Sequence, residues 1–119
     1  MPVRSLGSSV FKWPDAQTVE RALRRWAQEA AATKAGVRRI GYFGSYARGD
    51  WGFGSDLDVI VVVATSDKAF ERRAVDWDLT ELPVPADVLV YTEGEWRSLD
   101  PESRFAKTVA REAVWVYTA

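Results

Sequence analysis

The feature that most restricts the fold of this chain is the run LDVIVVVA at residues 57–64. Its five consecutive β-branched residues, from Val59 to Val63, show no polar alternation. Such a run is typical of a strand that is covered on both faces. The sequence therefore predicts a central strand of a sheet here, although two aspartates, Asp56 and Asp58, stand at its start.

Segments with helical and extended patterns alternate around this strand. Residues 14–36 place apolar residues at helical spacing, with Asp15 as the expected N-cap and Gly36 as the expected stop. The other predicted elements are strands at 37–44, 86–92 and 114–118, one helical turn at 45–49, and helices at 67–79 (capped by Ser66 or Asp67) and 100–113 (capped by Asp100). This order predicts an α/β (α+β) fold in which three to four strands are flanked by helices.

Composition limits both the domain organisation and the chemistry. The 119 residues, 47% of them hydrophobic and 28% charged, suit a single domain spanning 1–119. Neither cysteine nor histidine is present, which excludes disulfides, thiolate or imidazole metal ligands and histidine-based triads. Any catalysis must use carboxylates, hydroxyls, lysine or arginine, and a bound metal would be Mg²⁺ or Mn²⁺ rather than zinc or copper.

Hydropathy and net charge indicate where the protein works and what it binds. The N-terminal residues lack the apolar core of a signal peptide, and no run approaches the ~20 apolar residues of a membrane span. We therefore expect a cytoplasmic protein without a membrane partner. The formal net charge of −1 gives no general attraction to nucleic acid, so direct nucleic-acid binding is not expected.

The two aspartates at the start of the apolar run form a candidate metal-binding pair. On a strand, Asp56 and Asp58 project to the same side while Leu57 points to the other. Two carboxylates at the mouth of an apolar strand repel each other, and a divalent cation between them would keep both ionised. Exposed aspartates at a loop–strand junction would show the same pattern, so the pair alone does not decide between the two interpretations.

The turn before this pair favours a phosphorylated ligand. Gly44 and Ser45 open a turn after an apolar strand, where glycine allows backbone N–H groups to approach an anion. Arg48 lies in the same turn and could hold phosphate oxygens.

A third acidic residue strengthens the metal hypothesis. Asp87 lies on the predicted strand at 86–92, in an apolar setting where an unpaired carboxylate is costly. If the two acidic strands are neighbours, Asp87 completes a cluster of three carboxylates. Oxygen ligands of this kind, with room for phosphates, suit Mg²⁺ in phosphoryl or nucleotidyl transfer.

These residues resemble the motif of the nucleotidyltransferase superfamily related to DNA polymerase beta, and most closely its minimal (MNT-type) members. The superfamily motif is Gly-Ser, ten residues and Asp-x-Asp, with a third acid on a later strand. Here Gly44-Ser45 is followed by YARGDWGFGS and then by Asp56-Leu57-Asp58, while Asp87 stands at the third acid. The resemblance extends from about the first helix to the end of the chain. It implies a polymerase-beta-like fold with a small mixed sheet.

The resemblance also implies residue roles. Asp56, Asp58 and Asp87 would be catalytic and would bind two Mg²⁺ ions, with Mn²⁺ as an alternative, that hold ATP as substrate. Asp87 would bind the metal beside the attacking hydroxyl and help remove its proton. Gly44-Ser45 would contact the triphosphate through backbone and hydroxyl groups, and Arg48 is a weaker candidate for phosphate contact.

The minimal members suggest a biological role and a partner. They are often antitoxins paired with a helical HEPN toxin, which is an RNase, and some transfer AMP from ATP to a tyrosine of that toxin. The resemblance therefore implies such a transferase with a HEPN-type toxin as its partner. Assembly of this chain into a homo-oligomer is also compatible with the sequence.

Two alternatives to this role stay open. One is nucleotidyl transfer to a small molecule such as an aminoglycoside, for which the chain offers no added acceptor domain. The other is a non-catalytic module that blocks the toxin by surface contact, against which the three acidic residues argue.

Overall fold

The computed structural model describes residues 13–119. Its elements follow in the order α1 (Ala16–Thr33), β1 (Val37–Phe43), α2 (Ser45–Arg48), β2 (Leu57–Val63), a 3₁₀-helix (Phe70–Asp76), β3 (Ala86–Thr92), α3 (Glu93–Arg97), α4 (Arg104–Glu112) and β4 (Val114–Thr118). The four strands form one sheet in the order β3-β2-β1-β4. β2 and β3 are parallel, whereas β1 is antiparallel to both β2 and β4. The predicted α/β (α+β) fold with a small mixed sheet is confirmed.

The apolar run forms the central strand that the sequence predicts. β2 lies between β1 and β3, and its side chains are buried on both faces of the sheet. Leu57, Val59 and Val61 belong to the core that includes α1, whereas Ile60 and Val62 pack with Val109 of α4 on the opposite face. Because β-branched residues fit a pleated surface covered on both sides, the sequence places this strand without ambiguity.

Helix α1 also agrees with the sequence. The Asp15 side chain accepts a hydrogen bond of 2.8 Å from the Thr18 N–H, which satisfies one of the unpaired donors of the first turn. The helix ends at Thr33 with Lys34 as its C-cap, and Gly36 follows with a positive φ of 79°. In residues 13–119, no helix is both long and apolar enough to span a bilayer.

The helix predicted at 67–79 is wrong in both type and cap. The segment forms a 3₁₀-helix at Phe70–Asp76, with Ala69 at its N-cap rather than Ser66 or Asp67. Its buried side chain is that of Arg73, not an apolar residue. Helical periodicity of apolar residues could not indicate this arrangement, because the segment is fixed by an arginine and not by an apolar stripe.

The C-terminal helix begins later than predicted. Asp100 and Pro101 lie in a turn, and α4 begins at Arg104 with Ser103 as its N-cap. The Asp100 side chain instead accepts a 2.9 Å bond from the Glu102 N–H. A short helix, α3, precedes this turn and was not predicted, because its five residues are fewer than a periodic pattern needs.

Arg73 connects three elements around strand β3. Its guanidinium donates two hydrogen bonds to Glu95 of α3, at 2.6 and 3.0 Å, and one of 3.0 Å to the Val90 carbonyl of β3. A further bond of 2.9 Å reaches the Lys68 carbonyl. The Arg73 guanidinium, together with the Thr92 N–H, lowers the pKa of Glu95 to about 2, so the pair stays ionised through any ordinary pH. Arg73 therefore fixes the connection between β2 and β3.

We predict that Arg73→Met destabilises the protein by about 2 to 3 kcal/mol, because methionine fills the space but leaves the buried Val90 carbonyl and the Glu95 carboxylate without their donor. Urea denaturation followed by circular dichroism measures the change. Arg72→Met is the matched control, since Arg72 lies beside Arg73 in the chain and is exposed. Equal stability of the two variants would contradict the role of Arg73.

Candidate active site

The Gly44 backbone adopts a conformation that other residues avoid. Its φ is +87°, in the left-handed region, and it lies directly after β1. A Cβ atom at this position would collide with the Asp58 carboxylate. Glycine is therefore required twice, once for the backbone and once for the close approach of Asp58. This contact places the Gly44 turn against the start of β2.

Ser45 begins the short helix α2, which ends at Arg48 and is followed by Gly49 in the left-handed conformation. Its carbonyl accepts hydrogen bonds from the Gly49 and Asp50 N–H groups, at 2.9 and 3.1 Å, which tightens the turn. The Ser45 hydroxyl, by contrast, makes no hydrogen bond to any residue in the described range 13–119. No group in this range therefore competes with a ligand for the hydroxyl.

Parallel pairing of β2 and β3 places two of the predicted acids side by side. Asp58 and Asp87 are register partners, so their side chains lie on the same face of the sheet about 4.8 Å apart at the backbone. Asp56 lies one residue before β2 and is exposed. Burial raises the pKa of Asp58, and the negative charges of Asp87 and Asp56 raise it further. Asp58 therefore interacts electrostatically with both of the other carboxylates.

The acidic pair opens into a cavity of about 590 Å³. Asp58 and Asp87 contribute its charged wall, and Phe43, Leu79 and Leu89 are among its apolar lining residues. A charged end next to apolar walls can hold a reacting group while a larger apolar portion of a ligand packs beside it.

The predicted phosphate contact Arg48 is engaged by acidic residues. Its Nε lies 3.0 Å from Asp50 Oδ2, and its Nη1 lies 3.3 Å from Glu112 Oε1. The Gly44 N–H donates to the same Glu112 oxygen, also at 3.3 Å. Sequence reasoning missed Glu112, which lies 64 residues after Arg48 in the chain. The one indication in the sequence was that this glutamate stands at the C-terminal end of a predicted helix, where the helix dipole disfavours negative charge.

The donor chemistry of the site suits a hard divalent cation, since carboxylate and hydroxyl oxygens are the groups that Mg²⁺ prefers. A cation would also relieve the repulsion that raises the pKa of Asp58. Within the described residues, however, no three acidic side chains are arranged closely enough to hold a metal ion. The structure brings Asp58 and Asp87 together directly, and Asp56 only within electrostatic range.

The sequence model of the nucleotidyltransferase domain family matches residues 24–116. The matched range contains Gly44, Ser45 and all three aspartates. The chain belongs to this family. A comparison with curated protein sequences gave no significant match.

Solved structures share the fold of this nucleotidyltransferase at low sequence identity. A nucleotidyltransferase from Sulfolobus solfataricus aligns with a TM-score of 0.62 and 19% identity over 91% of each chain. A toxin–antitoxin structure with AMP-PNP aligns with a TM-score of 0.56 and 19% identity, over 84% of this chain and 73% of that chain. A complex of tri-AMPylated HEPN toxin with MNT antitoxin from Shewanella oneidensis aligns with a TM-score of 0.53 and 17% identity. The alignment covers 87% of this chain and 73% of that chain.

We predict that Gly44→Ala disables the nucleotidyltransferase site, because the new methyl group pushes the Asp58 carboxylate out of place. Gly54→Ala is the matched control: Gly54 has a similar φ of +85°, but a Cβ there meets no atom within 4 Å. Both variants carry backbone strain of about 1 kcal/mol. Isothermal titration with Mg²⁺ and ATP should show lost binding in Gly44→Ala only, and equal loss in both would contradict the steric explanation.

We predict that Asp58→Asn raises the melting temperature of the protein in EDTA near neutral pH. The raised pKa of Asp58 means that its charge disfavours the folded state above that pKa. The gain should disappear well below pH 3.8, the ordinary aspartate pKa, because the carboxyl group is then neutral in both states. Mg²⁺ should stabilise the wild type more than the variant. Asp67→Asn, at an exposed position, is the control, and a destabilised Asp58→Asn protein would contradict the prediction.

Proposed function

We propose that this nucleotidyltransferase is Mg²⁺-dependent and transfers AMP from ATP to a tyrosine of a HEPN-type RNase toxin, and so acts as the antitoxin. The observation that carries the proposal is the parallel register of Asp58 and Asp87, set against the Gly44 turn. The Asp58 and Asp87 carboxylates lie side by side, with Asp58 against the Gly44 backbone, and this supports a role of the turn in holding phosphate beside the acidic residues.

The structural comparisons support the choice of acceptor and nucleotide. One similar structure contains a tri-AMPylated HEPN toxin with an MNT antitoxin, and another contains AMP-PNP. At these identities the likeness establishes a shared fold, so the partner and the nucleotide remain part of the proposal for this chain. Its lack of cysteine agrees with a reducing, cytoplasmic location.

The residues of the site would have two roles in the proposed reaction, metal binding and phosphate binding. Asp56, Asp58 and Asp87 would hold the divalent ions. When bound, such ions supply positive charge that stabilises the attacking and leaving oxygens of an in-line displacement. The Gly44 N–H and the Ser45 hydroxyl would donate hydrogen bonds to phosphate oxygens.

The transfer step balances without a further reactant. The acceptor oxygen forms a bond to the α-phosphorus, and the bond from that phosphorus to the oxygen bridging the β-phosphate breaks. Pyrophosphate leaves with the electron pair of the broken bond. The proton of the acceptor hydroxyl passes to the Asp87 carboxylate, which is exposed at the edge strand and can return it to water.

The cavity beside Asp87 supports a hydroxyl acceptor with an apolar body. Phe43, Leu79 and Leu89 line it together with the two carboxylates. An aromatic side chain could pack against these apolar groups while its hydroxyl faces Asp87. A polycationic sugar would find fewer polar partners on these walls.

The decisive experiment incubates the purified protein with Mg²⁺ and ATP labelled at the α-phosphate, together with the product of the adjacent reading frame. We expect label on a tyrosine of that product, located by mass spectrometry, and no label from ATP marked at the γ-phosphate. Asp58→Asn should reduce labelling by at least a hundredfold, while the exposed control Asp67→Asn should leave it unchanged.

Other outcomes identify the alternatives. If the Asp58→Asn protein still inhibits the toxin fully, the chain is a binding module and the enzymatic proposal fails. If label appears on an added aminoglycoside and not on the protein partner, the acceptor is a small molecule. Failure of the wild type to bind Mg²⁺ and ATP at all would exclude both transferase proposals.

A further inference from the structure

Glu112 is a charged residue in an electrostatically unfavourable position. It is the last residue of α4, where the unpaired carbonyl groups carry partial negative charge. Its side chain is nonetheless only 9% exposed, so water compensates it little. A carboxylate in such a position needs donors from elsewhere in the fold.

Glu112 finds these donors at the Gly44 turn. Oε1 accepts from the Gly44 N–H and lies near Arg48 Nη1, both at 3.3 Å. Oε2 lies 3.6 Å from Arg111 Nη2. All three distances are longer than the 2.7–2.9 Å typical of strong charge-assisted hydrogen bonds. Glu112 is therefore held at the turn by weak contacts that a better acceptor can replace.

A phosphate group is such an acceptor. The two groups that contact Glu112 Oε1 are the Gly44 N–H, which the proposed function assigns to a nucleotide phosphate, and the Arg48 guanidinium, for which the family resemblance implies a phosphate contact. One N–H cannot donate fully to two acceptors, and a carboxylate beside a phosphate adds like-charge repulsion.

We propose that Glu112 occupies the phosphate-binding donors of the free protein and is displaced when a phosphorylated ligand binds. This inference rests on the proposed function for the location of the phosphates. Glu112 is thus a positioning residue that sets phosphate affinity at the Gly44 turn, and it selects ligands whose phosphates compete strongly enough to replace a carboxylate.

Displacement needs only a side-chain rotation. The backbone of α4 is held through Val109, which packs against Ile60 and Val62 of β2. Arg111 stays beside Glu112 as an alternative partner for the displaced carboxylate. Arg48 likewise keeps its 3.0 Å contact with Asp50 while its Nη1 turns to a phosphate.

The test measures anion affinity and not catalysis. Isothermal titration with pyrophosphate, and with an ATP analogue carrying a methylene bridge between the α- and β-phosphorus atoms, is carried out with Mg²⁺ on wild type and Glu112→Gln. The glutamine keeps the shape and one acceptor oxygen but removes the charge. We expect binding of both ligands to tighten by roughly tenfold, which corresponds to about 1.4 kcal/mol.

The matched control is Glu102→Gln, which removes the same charge from an exposed residue before α4. It should leave both affinities unchanged, which separates a local effect from one of net charge. A second variant, Glu112→Ala, should also tighten binding and should speed hydrogen exchange of the Gly44 amide in the free protein, since the amide loses its acceptor.

The outcomes separate this inference from the proposed function. Unchanged or weaker binding in both Glu112 variants overturns the inference, even where the wild type transfers AMP normally. If Glu112→Gln binds pyrophosphate more tightly but the wild type transfers no AMP to any acceptor, the inference is supported and the proposed function is overturned. Failure of both pyrophosphate and the ATP analogue to bind either protein overturns both.

Discussion

The parallel pairing of β2 with β3 is the interaction on which the rest of the site depends. It makes Asp58 and Asp87 register partners on one face of the sheet, and it leaves their charges close enough to raise the pKa of Asp58. Antiparallel partners can be joined by a tight turn, but parallel partners need a long crossover. The crossover here contains the 3₁₀-helix, and Arg73 ties that helix to β3 and α3. The acidic site and the buried arginine therefore depend on each other, because Arg73 holds in place the crossover that brings β3 beside β2.

The site combines groups that would destabilise the fold if they stood alone. Asp58 is partly buried beside other negative charges, and Glu112 lies at the wrong end of a helix for its charge. Unfavourable charges of this kind concentrate at functional sites, where a ligand supplies the missing compensation. The well-packed strand β2, buried on both faces, provides the rigid support that lets these groups persist.

Sequence reasoning succeeded where one physical signal dominated. The β-branched run defined β2, the capping aspartate defined the start of α1, and the spacing from Gly44 to Asp58 was enough to indicate the family. It failed where long-range contacts decide the outcome. Arg73 is buried because its partners, Val90 and Glu95, come from later elements, and Glu112 joins the site because α4 folds back over β1 and β2. Neither contact corresponds to a periodic pattern of apolar residues in the sequence, because both depend on which elements become neighbours in space.

The position of β3 at the edge of the sheet has a consequence for how the protein loses activity on heating. β3 is paired with β2 on one side only, so its opening leaves the pairing of β1 with β2 and β4 intact. Such local opening would carry Asp87 away while Asp56 and Asp58 stay in place. Under the proposed function, loss of activity would then begin at a lower temperature than unfolding of β1, β2 and β4. A ligand bound by both Asp58 and Asp87 would hold the two strands together, so a bound substrate would raise the temperature at which activity is lost.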